Sequence, residues 1–273
     1  MTLRERLAAL FPQASRRSLK QWLETGRVSV NSRVVRDGRA SLRPSDTIAL
    51  RRHGQVPFPP GLRLVHEDDD ILVADKPPGL LTIATVRERA RTAYRILGEY
   101  LAAQAAHGGR GRRPFIVHRL DRETSGLLVF AKSPDAKRRL QSQFEARAVE
   151  RIYLAVVEGR VKADQGTLQS RLAQDQGLRV RSARAGKEAI THYRVLARRG
   201  STTALELSLG TGRRHQIRVQ LAELGHPIVG DRLHARGRGP LGRMALHATR
   251  LSFLHPATGS RVSFKSAPPP GWV

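Results

Sequence analysis

The chain has no cysteine among its 273 residues. That excludes disulfide staples, thiolate nucleophiles and cysteine-ligated zinc. Its ten histidines include no His-Glu-x-x-His pair, so no motif supports a metal site. No segment approaches the roughly 20 apolar residues needed to span a bilayer. Nor do the first residues read as a signal peptide: Leu3, Leu7, Leu10 and Phe11 recur at helical steps with Arg4, Glu5 and Arg6 between them. A soluble, cytoplasmic protein working without metal or other cofactor is expected, and nothing calls for more than a monomer. Acidic residues are scarce: 23 Asp and Glu face 49 Lys and Arg, a net charge of +26. Such an excess repels itself in a compact chain unless a polyanion offsets it. Lys and Arg set against phosphates are the main source of nucleic-acid affinity. Most of the cations are Arg, whose planar fork grips phosphate with two bonds and stacks on bases. Ala- and Arg-rich composition is the competing explanation, but it would not leave the acids so outnumbered.

Length suggests one large domain plus a small one. The break is placed at residues 57–61, within Val56-Pro57-Phe58-Pro59-Pro60-Gly61, a cluster that continues neither a helix nor a central strand. The expected domains are therefore 1–56 and 62–273. In the small segment Ser15 caps a helix through Leu19, Trp22 and Leu23, and Gly26 ends it. Val28-Ser29-Val30-Asn31 then alternates like a strand, with Ile48-Ala49-Leu50 as its partner. Arg16, Arg17 and Lys20 share that helix's exposed face, with Arg27 and Arg33 near its end. This order, Ser-Arg-Arg-x-Leu-Lys-x-Trp-Leu-x-x-Gly-Arg-Val-x-Val-Asn followed by Asp-x-Ile-x-Leu, resembles the RNA-binding domain of ribosomal small-subunit protein four. Asn31-Ser32 stands where that family usually has Asn-Gly.

The large segment reads as short strands broken by helices. Strands are expected on either side of a turn at Glu67-Asp68-Asp69-Asp70, and helices over Arg91–Gln104 and from Ser133-Pro134 through Phe144. Three adjacent Asp in a tight turn cannot all face one ion, so a solvated turn is preferred to a metal cluster. His107 to Pro114 is a Gly/Arg-rich loop. Further strands are expected at Ile152–Val157 and Leu205–Leu209. The class is α+β: a central mixed, mainly antiparallel sheet flanked by helices, with a small α/β domain ahead of it.

Four motifs carry chemistry. His118-Arg119-Leu120-Asp121-Arg122-Glu123-Thr124-Ser125-Gly126 strands Asp121 among cations just before an apolar strand. Nearby positive charge favours the carboxylate form, although ion-pair networks do this without any catalytic role. Asp75-Lys76-Pro77-Pro78-Gly79 by itself is only a rigid turn. Glu150-Arg151-Ile152-Tyr153 puts Tyr153 on a strand, where a tyrosine is more often core than catalytic. Gly210-Thr211-Gly212-Arg213-Arg214-His215-Gln216-Ile217-Arg218 has neither Gly-Lys-Ser/Thr nor dinucleotide glycine spacing. Its Arg218 lies between Ile217 and Val219 at the start of a helix. There a half-buried guanidinium needs an anion, and Asp121 is the expected one.

Together with Gly225-His226-Pro227-Ile228-Val229-Gly230-Asp231, these motifs resemble the RluA-type RNA pseudouridine synthases over about residues 62–265. The resemblance implies that fold and the conversion of uridine to pseudouridine in RNA. It implies Asp121 as the essential aspartate, Tyr153 as a tyrosine that stacks on the uracil and assists proton removal from C5, and Arg218 as the aspartate's basic partner. It implies that Arg119 fills the place of the extruded base. Arg213, Arg214 and His215 join the RNA-contact candidates. Gln220, Arg151 and Thr82-Ile83-Ala84-Thr85 depart from the family's usual residues. Large-subunit ribosomal RNA is the favoured substrate, with transfer RNA the other. A non-catalytic RNA-binding or ribosome-assembly factor keeping this fold is a further alternative. A DNA-binding regulator would need a second helix after residues 15–26.

Overall fold

In the computed structural model of the chain, the described residues are 1–24, 27–31, 33–50, 56–85, 88–89, 91–106, 112–177, 179–235 and 241–272. The side chain of Arg33, the cap Gly26, Ser32 of the first turn and residues 107–111 of the Gly/Arg-rich loop lie outside the described residues. The chain divides into two compact units, Met1–Pro57 with Glu99–Arg112, and Phe58–Gly98 with Arg113–Val273.

In the first unit, α1 (Leu3–Leu10) starts at a capping box made by Thr2 and Glu5. The second helix, α2 (Arg16–Glu24), starts where the Ser15 hydroxyl accepts the Ser18 amide. Three short antiparallel strands follow: β1 (Val28–Val30), β2 (Arg33–Val34) and β3 (Ile48–Leu50), in the order β2-β1-β3. Leu3, Leu7, Leu19, Leu23 and Val28 form the core, edged by Phe11 against Trp22. Arg16, Arg17 and Lys20 are exposed on α2, whereas Arg27 lies over the Trp22 ring at 5.2 Å.

The second unit is built on one large sheet. Its elements are β4 (Arg63–Glu67), β5 (Ile71–Lys76), α3 (Ala93–Ala106, whose second half groups with the first unit), β6 (Phe115–Ile116), β7 (Ser125–Ala131) and α4 (Pro134–Glu145). They continue with β8 (Glu150–Glu158), β9 (Gln165–Gln174), β10 (Val180–Ser182), β11 (Lys187–Arg199), β12 (Thr202–Leu209), α5 (Gln216–Glu223), β13 (Leu246–Leu254) and β14 (Arg261–Lys265). The strand order is β10-β9-β11-β12-β8-β13-β7-β5-β4, with β14 on β13 and β6 on β7. Among the described pairs only β7–β13 is parallel, so the sheet is mixed and mainly antiparallel, as expected.

Central strands are apolar because both their faces are covered. Every residue of β7 is buried, and Ile71, Val73, Leu127 and Val129 pack with Ala136 and Leu140 of α4. The parallel pair meets at Gly126, where φ is +109° and a β-carbon would lie 2.3 Å from the Ala248 carbonyl oxygen. Only glycine permits this backbone approach. It seats the loop before β7 over the middle of the sheet. The acidic turn between β4 and β5 is closed by Asp68, which accepts the Asp70 and Ile71 amides.

Candidate active site

Asp121 sits in the loop between β6 and β7, and its backbone is clamped on both sides. The Thr82 hydroxyl donates to the Leu120 carbonyl at 2.8 Å and accepts the Leu120 amide at 3.2 Å. On the other side the Arg122 carbonyl accepts from the Gly79 amide at 2.8 Å and from Lys76 Nζ at 3.1 Å, while Arg122 Nε donates to the Gly79 carbonyl. Lys76 is fully buried and also donates to the carbonyls of Pro77 and Leu80. Burial pulls its pKa down to about 7, while Asp121 and Glu123 push it back up. Three acceptors require three N–H groups, which is the ammonium form. The Asp75–Gly79 turn is therefore the bracket that holds the aspartate loop.

A second set of bonds fixes the start of β7. Arg243 Nη2 donates to Ser125 Oγ, which lies 2.8 Å from His247 Nδ1; His247 Nε2 is 3.0 Å from Ser266 Oγ, which donates to Asp75. Since Asp75 can only accept, Ser266 donates to it and His247 Nε2 carries the proton that Ser266 Oγ accepts; a neutral ring then takes its Nδ1 bond from the Ser125 hydroxyl. Burial lowers the pKa of His247, and Arg243 adds to this, which agrees with the neutral form.

The Asp121 carboxylate accepts no hydrogen bond from the described residues, whereas its backbone carbonyl accepts the Thr124 amide at 3.2 Å. Arg218 Nη1 stands 3.8 Å from one carboxylate oxygen and His215 Nε2 stands 3.9 Å from the other. The expected pairing of Arg218 with Asp121 is present as a loose ion pair, and Asp231 is a second, closer anion that the sequence reading did not pair with Arg218. Arg218 binds Asp231 first, with Nε and Nη2 donating to its two oxygens at 2.7 and 2.6 Å. Both residues are buried, at 6% and 1% exposure. Burial opposes both charges, but the pairing overrides it: the Asp231 pKa falls and the Arg218 pKa rises. Asp231 closes the Gly225–Asp231 motif, and the sequence alone assigns it no role.

Arg218 is aimed by α5, which two glutamines fasten to the sheet. The Gln216 amide bridges Thr211, the Arg213 amide, the Ile190 carbonyl and Thr191. Gln220 accepts from Thr191 and donates to the carbonyls of Leu168 and Ala189 and to Ser170. Gln220, one of the departures from the family's usual residues, is thus a fastener. His215 precedes the helix with φ at +53°. Burial lowers its pKa, helped by Arg218 and Arg214, while Asp121 opposes this.

These groups share a cavity of about 490 Å³ whose lining includes Arg119, Asp121, Arg151, Tyr153, His215 and Arg218. Its size suits a nucleotide-sized ligand, within the roughly 300–1,000 Å³ of ligand pockets. All three expected catalytic residues are brought together here, with Arg119, Arg213 and His215 also in the lining. Arg214 lines the adjoining cleft with Arg119, Asp121 and Arg218. Tyr153 is buried on β8, and its pKa is pushed up to about 12 by burial, with Asp121 adding to this against Arg151. It is a phenol at neutral pH, offering the cavity a ring face and a hydroxyl. His118, which opens the motif, is a fastener too. Its Nε2 accepts the Val129 amide, its ring stacks on Phe144, and burial holds its pKa down at about 3.

The description "RNA pseudouridylate synthase" belongs to the family model that matches residues 70–223, more than half of the chain. The chain belongs to that family. It is an isomerase that converts uridine to pseudouridine in RNA. It is 38% identical to a ribosomal large subunit pseudouridine synthase D of Neisseria meningitidis serogroup A, over 96% of this chain and 74% of the relative. It is 34% identical to the protein of the same name from Haemophilus ducreyi, over 99% of this chain and 88% of the relative. Among solved structures it is similar to human RNA pseudouridylate synthase domain containing 4. The TM-score is 0.63 at 25% identity, over 77% of this chain and 90% of that one. No helix among the described residues is long and apolar enough to cross a membrane.

Proposed function

We propose that Asp121 is the reacting carboxylate of this pseudouridine synthase and that its substrate is large-subunit ribosomal RNA. The observation that carries the first half is the Asp121 carboxylate, which accepts no hydrogen bond from the described residues, set in a cavity between the Arg218 guanidinium and the His215 ring while its backbone is held on both sides. Rigid backbone with free oxygens is the arrangement a group needs to meet a substrate atom at fixed distance. Asp121 acts at the ribose, as nucleophile at C1′ or as base at C2′. The N1–C1′ bond breaks, the uracil turns, and C5 joins the same carbon. Tyr153 stacks on the uracil, and Arg218, fixed by Asp231, sets the charge beside Asp121. The uridine must leave its stack at a cost of a few kcal/mol, which exposed Arg119 offsets by filling the gap. The names of the relatives support the ribosomal target. The exposed Arg16, Arg17 and Lys20 support a first unit that holds RNA by its phosphates.

The test pairs two measurements. Asp121→Asn should form no pseudouridine while binding RNA as tightly as the wild type; retained turnover overturns the assignment of the carboxylate. Mapping pseudouridines in cells with and without the gene should remove a large-subunit site, and loss from transfer RNA alone would overturn the substrate.

A further inference from the structure

We propose that Arg151 is the seat of a backbone phosphate flanking the target uridine, so that the cavity binds the nucleotide by its anion as well as by its base. Arg151 lies on β8, two residues before Tyr153, and lines the same cavity. It is 9% exposed, yet no carboxylate among the described residues lies within ion-pair distance of it. Among the described residues one of its five N–H groups meets a protein acceptor: Nη2 donates to the Leu209 carbonyl at 3.2 Å. Nε is buried without a partner, and Nη1 takes none.

A buried guanidinium is normally paired, because an unpaired one costs several kcal/mol. Its counterpart Arg218 shows the ordinary solution, a two-pronged carboxylate. The fold leaves room around Arg151 instead of supplying an anion. Nη1 lies against Gly212, where a β-carbon would come within 2.5 Å of it. The plane is held on its other side by the Phe144 ring, 5.6 Å from the guanidinium carbon. Burial lowers its pKa, and of the described groups only Tyr153 acts against this. A guanidinium steered by stacking and one carbonyl, with free N–H groups in a nucleotide-sized cavity, matches a phosphodiester in shape and charge. A uracil carbonyl would satisfy a donor but leave the charge unpaired.

The proposal rests on the RNA reading of the site, and its test separates the two. Arg151→Met should keep or raise the melting temperature, since it removes an unpaired buried charge. A merely structural arginine would lose stability. Inorganic phosphate, against chloride at equal ionic strength, should raise the wild-type melting temperature by about 2 °C more than that of Arg151→Met. An equal rise in both overturns the anion site, whatever happens with RNA. On a synthetic stem-loop carrying the mapped uridine, Arg151→Met should raise KM about tenfold, one charge-assisted contact's worth. A neutral methylphosphonate at one flanking linkage should do the same to the wild type and add nothing to Arg151→Met. Independent, multiplying effects at both linkages overturn the proposal. Wild-type enzyme that leaves the stem-loop unmodified, while the phosphate difference holds, counts against the substrate and not against Arg151.

Discussion

Replacing Asp231 by Asn should be the most damaging single change to the site that touches no substrate atom. The carboxylate takes two N–H···O bonds from Arg218 at 2.7 and 2.6 Å, in a place where the residues are 1% and 6% exposed. An Asn offers one acceptor and one donor, so one bond becomes a donor facing a donor, and the guanidinium loses its counter-charge. Breaking a buried pair from one side costs about 3–5 kcal/mol. For a chain of this size each kcal/mol is roughly 2–4 °C of melting temperature, so the transition should fall by about 6–20 °C.

Activity should fall by a separate route. With Asp231 gone, the nearest carboxylate to Arg218 is Asp121, 3.8 Å from Nη1. The guanidinium closes that distance and engages the oxygens the reaction needs, so kcat drops while the KM for RNA holds. Arg218→Met/Asp231→Leu then decides between explanations. Removing both members of a buried pair is close to neutral, so the double variant should recover stability to within about 1 kcal/mol of wild type while staying inactive. Chemical denaturation and steady-state pseudouridine formation measure the two quantities. A loss under about 1 kcal/mol in Asp231→Asn, or a double variant no more stable than the single, refutes the reasoning. The pH dependence supplies a sign check. The Asp231 pKa is depressed in the fold, so its contribution is present above the unfolded value near 3.8 and is lost as pH falls through the lower folded value. Asp231→Asn should lack that acid limb.

Further outcomes follow from the same geometry. Gly126→Ala should cost more than about 4 kcal/mol, because its β-carbon would meet the backbone of Ala248 and its φ is positive; a variant within 1 kcal/mol of wild type on denaturation would contradict the close approach. Thr82→Val strips the Leu120 peptide of both partners at once. It should cost roughly 2–4 kcal/mol and lower kcat more than it raises KM, and an unchanged kcat would show that Thr82 does not position Asp121. His118 is neutral in the fold down to about pH 3, whereas the unfolded chain takes up its proton near 6.5. Stability should therefore fall with pH below 6.5, by about 2 kcal/mol at pH 5 on this account. Denaturation of His118→Gln, which keeps an acceptor for the Val129 amide, should show a flatter limb between pH 7 and 5; superimposable limbs would assign the loss elsewhere.

The sequence was legible where one local signal decides an element. Ser15 and Ser133-Pro134 announce α2 and α4, since a cap and a helical stripe are read within a dozen residues. The alternation at β1 and β3, and the apolar runs of β5, β7 and β8, are as plain. The arm made by β9, β10 and β11 is not legible, because β9 exposes Gln165, Thr167, Gln169 and Arg171 and β11 exposes Lys187, His192 and Arg194, which gives no apolar run to read. The site divides in the same way. Asp121, Tyr153 and Arg218 stand in motifs specific enough to be named together although they come from three elements. Asp231 was quoted in a motif but given no work, since its value depends on α5 setting Arg218 above it. Thr82 was noted as a departure, and Lys76 as part of a turn. A lysine two residues after the apolar run Ile71-Leu72-Val73-Ala74, in the same strand, does carry a signal, because a buried ammonium must find acceptors.

The charge pattern around Asp121 takes a different meaning once the bonds are assigned. A carboxylate among arginines reads as an ion-pair partner, yet its nearest cations are engaged elsewhere. Lys76 spends its three protons on carbonyls, Arg122 Nε goes to the Gly79 carbonyl, and Arg218 is taken by Asp231. Coulomb attraction falls only as the inverse of distance, whereas a hydrogen bond is gone beyond about 3.5 Å. The cations therefore leave positive charge beside the carboxylate without occupying its lone pairs. Had Arg218 met Asp121 as tightly as it meets Asp231, the loop would be better satisfied and the carboxylate unavailable. Asp231 is thus what keeps Arg218 from closing on Asp121 and leaves the Asp121 oxygens free to react.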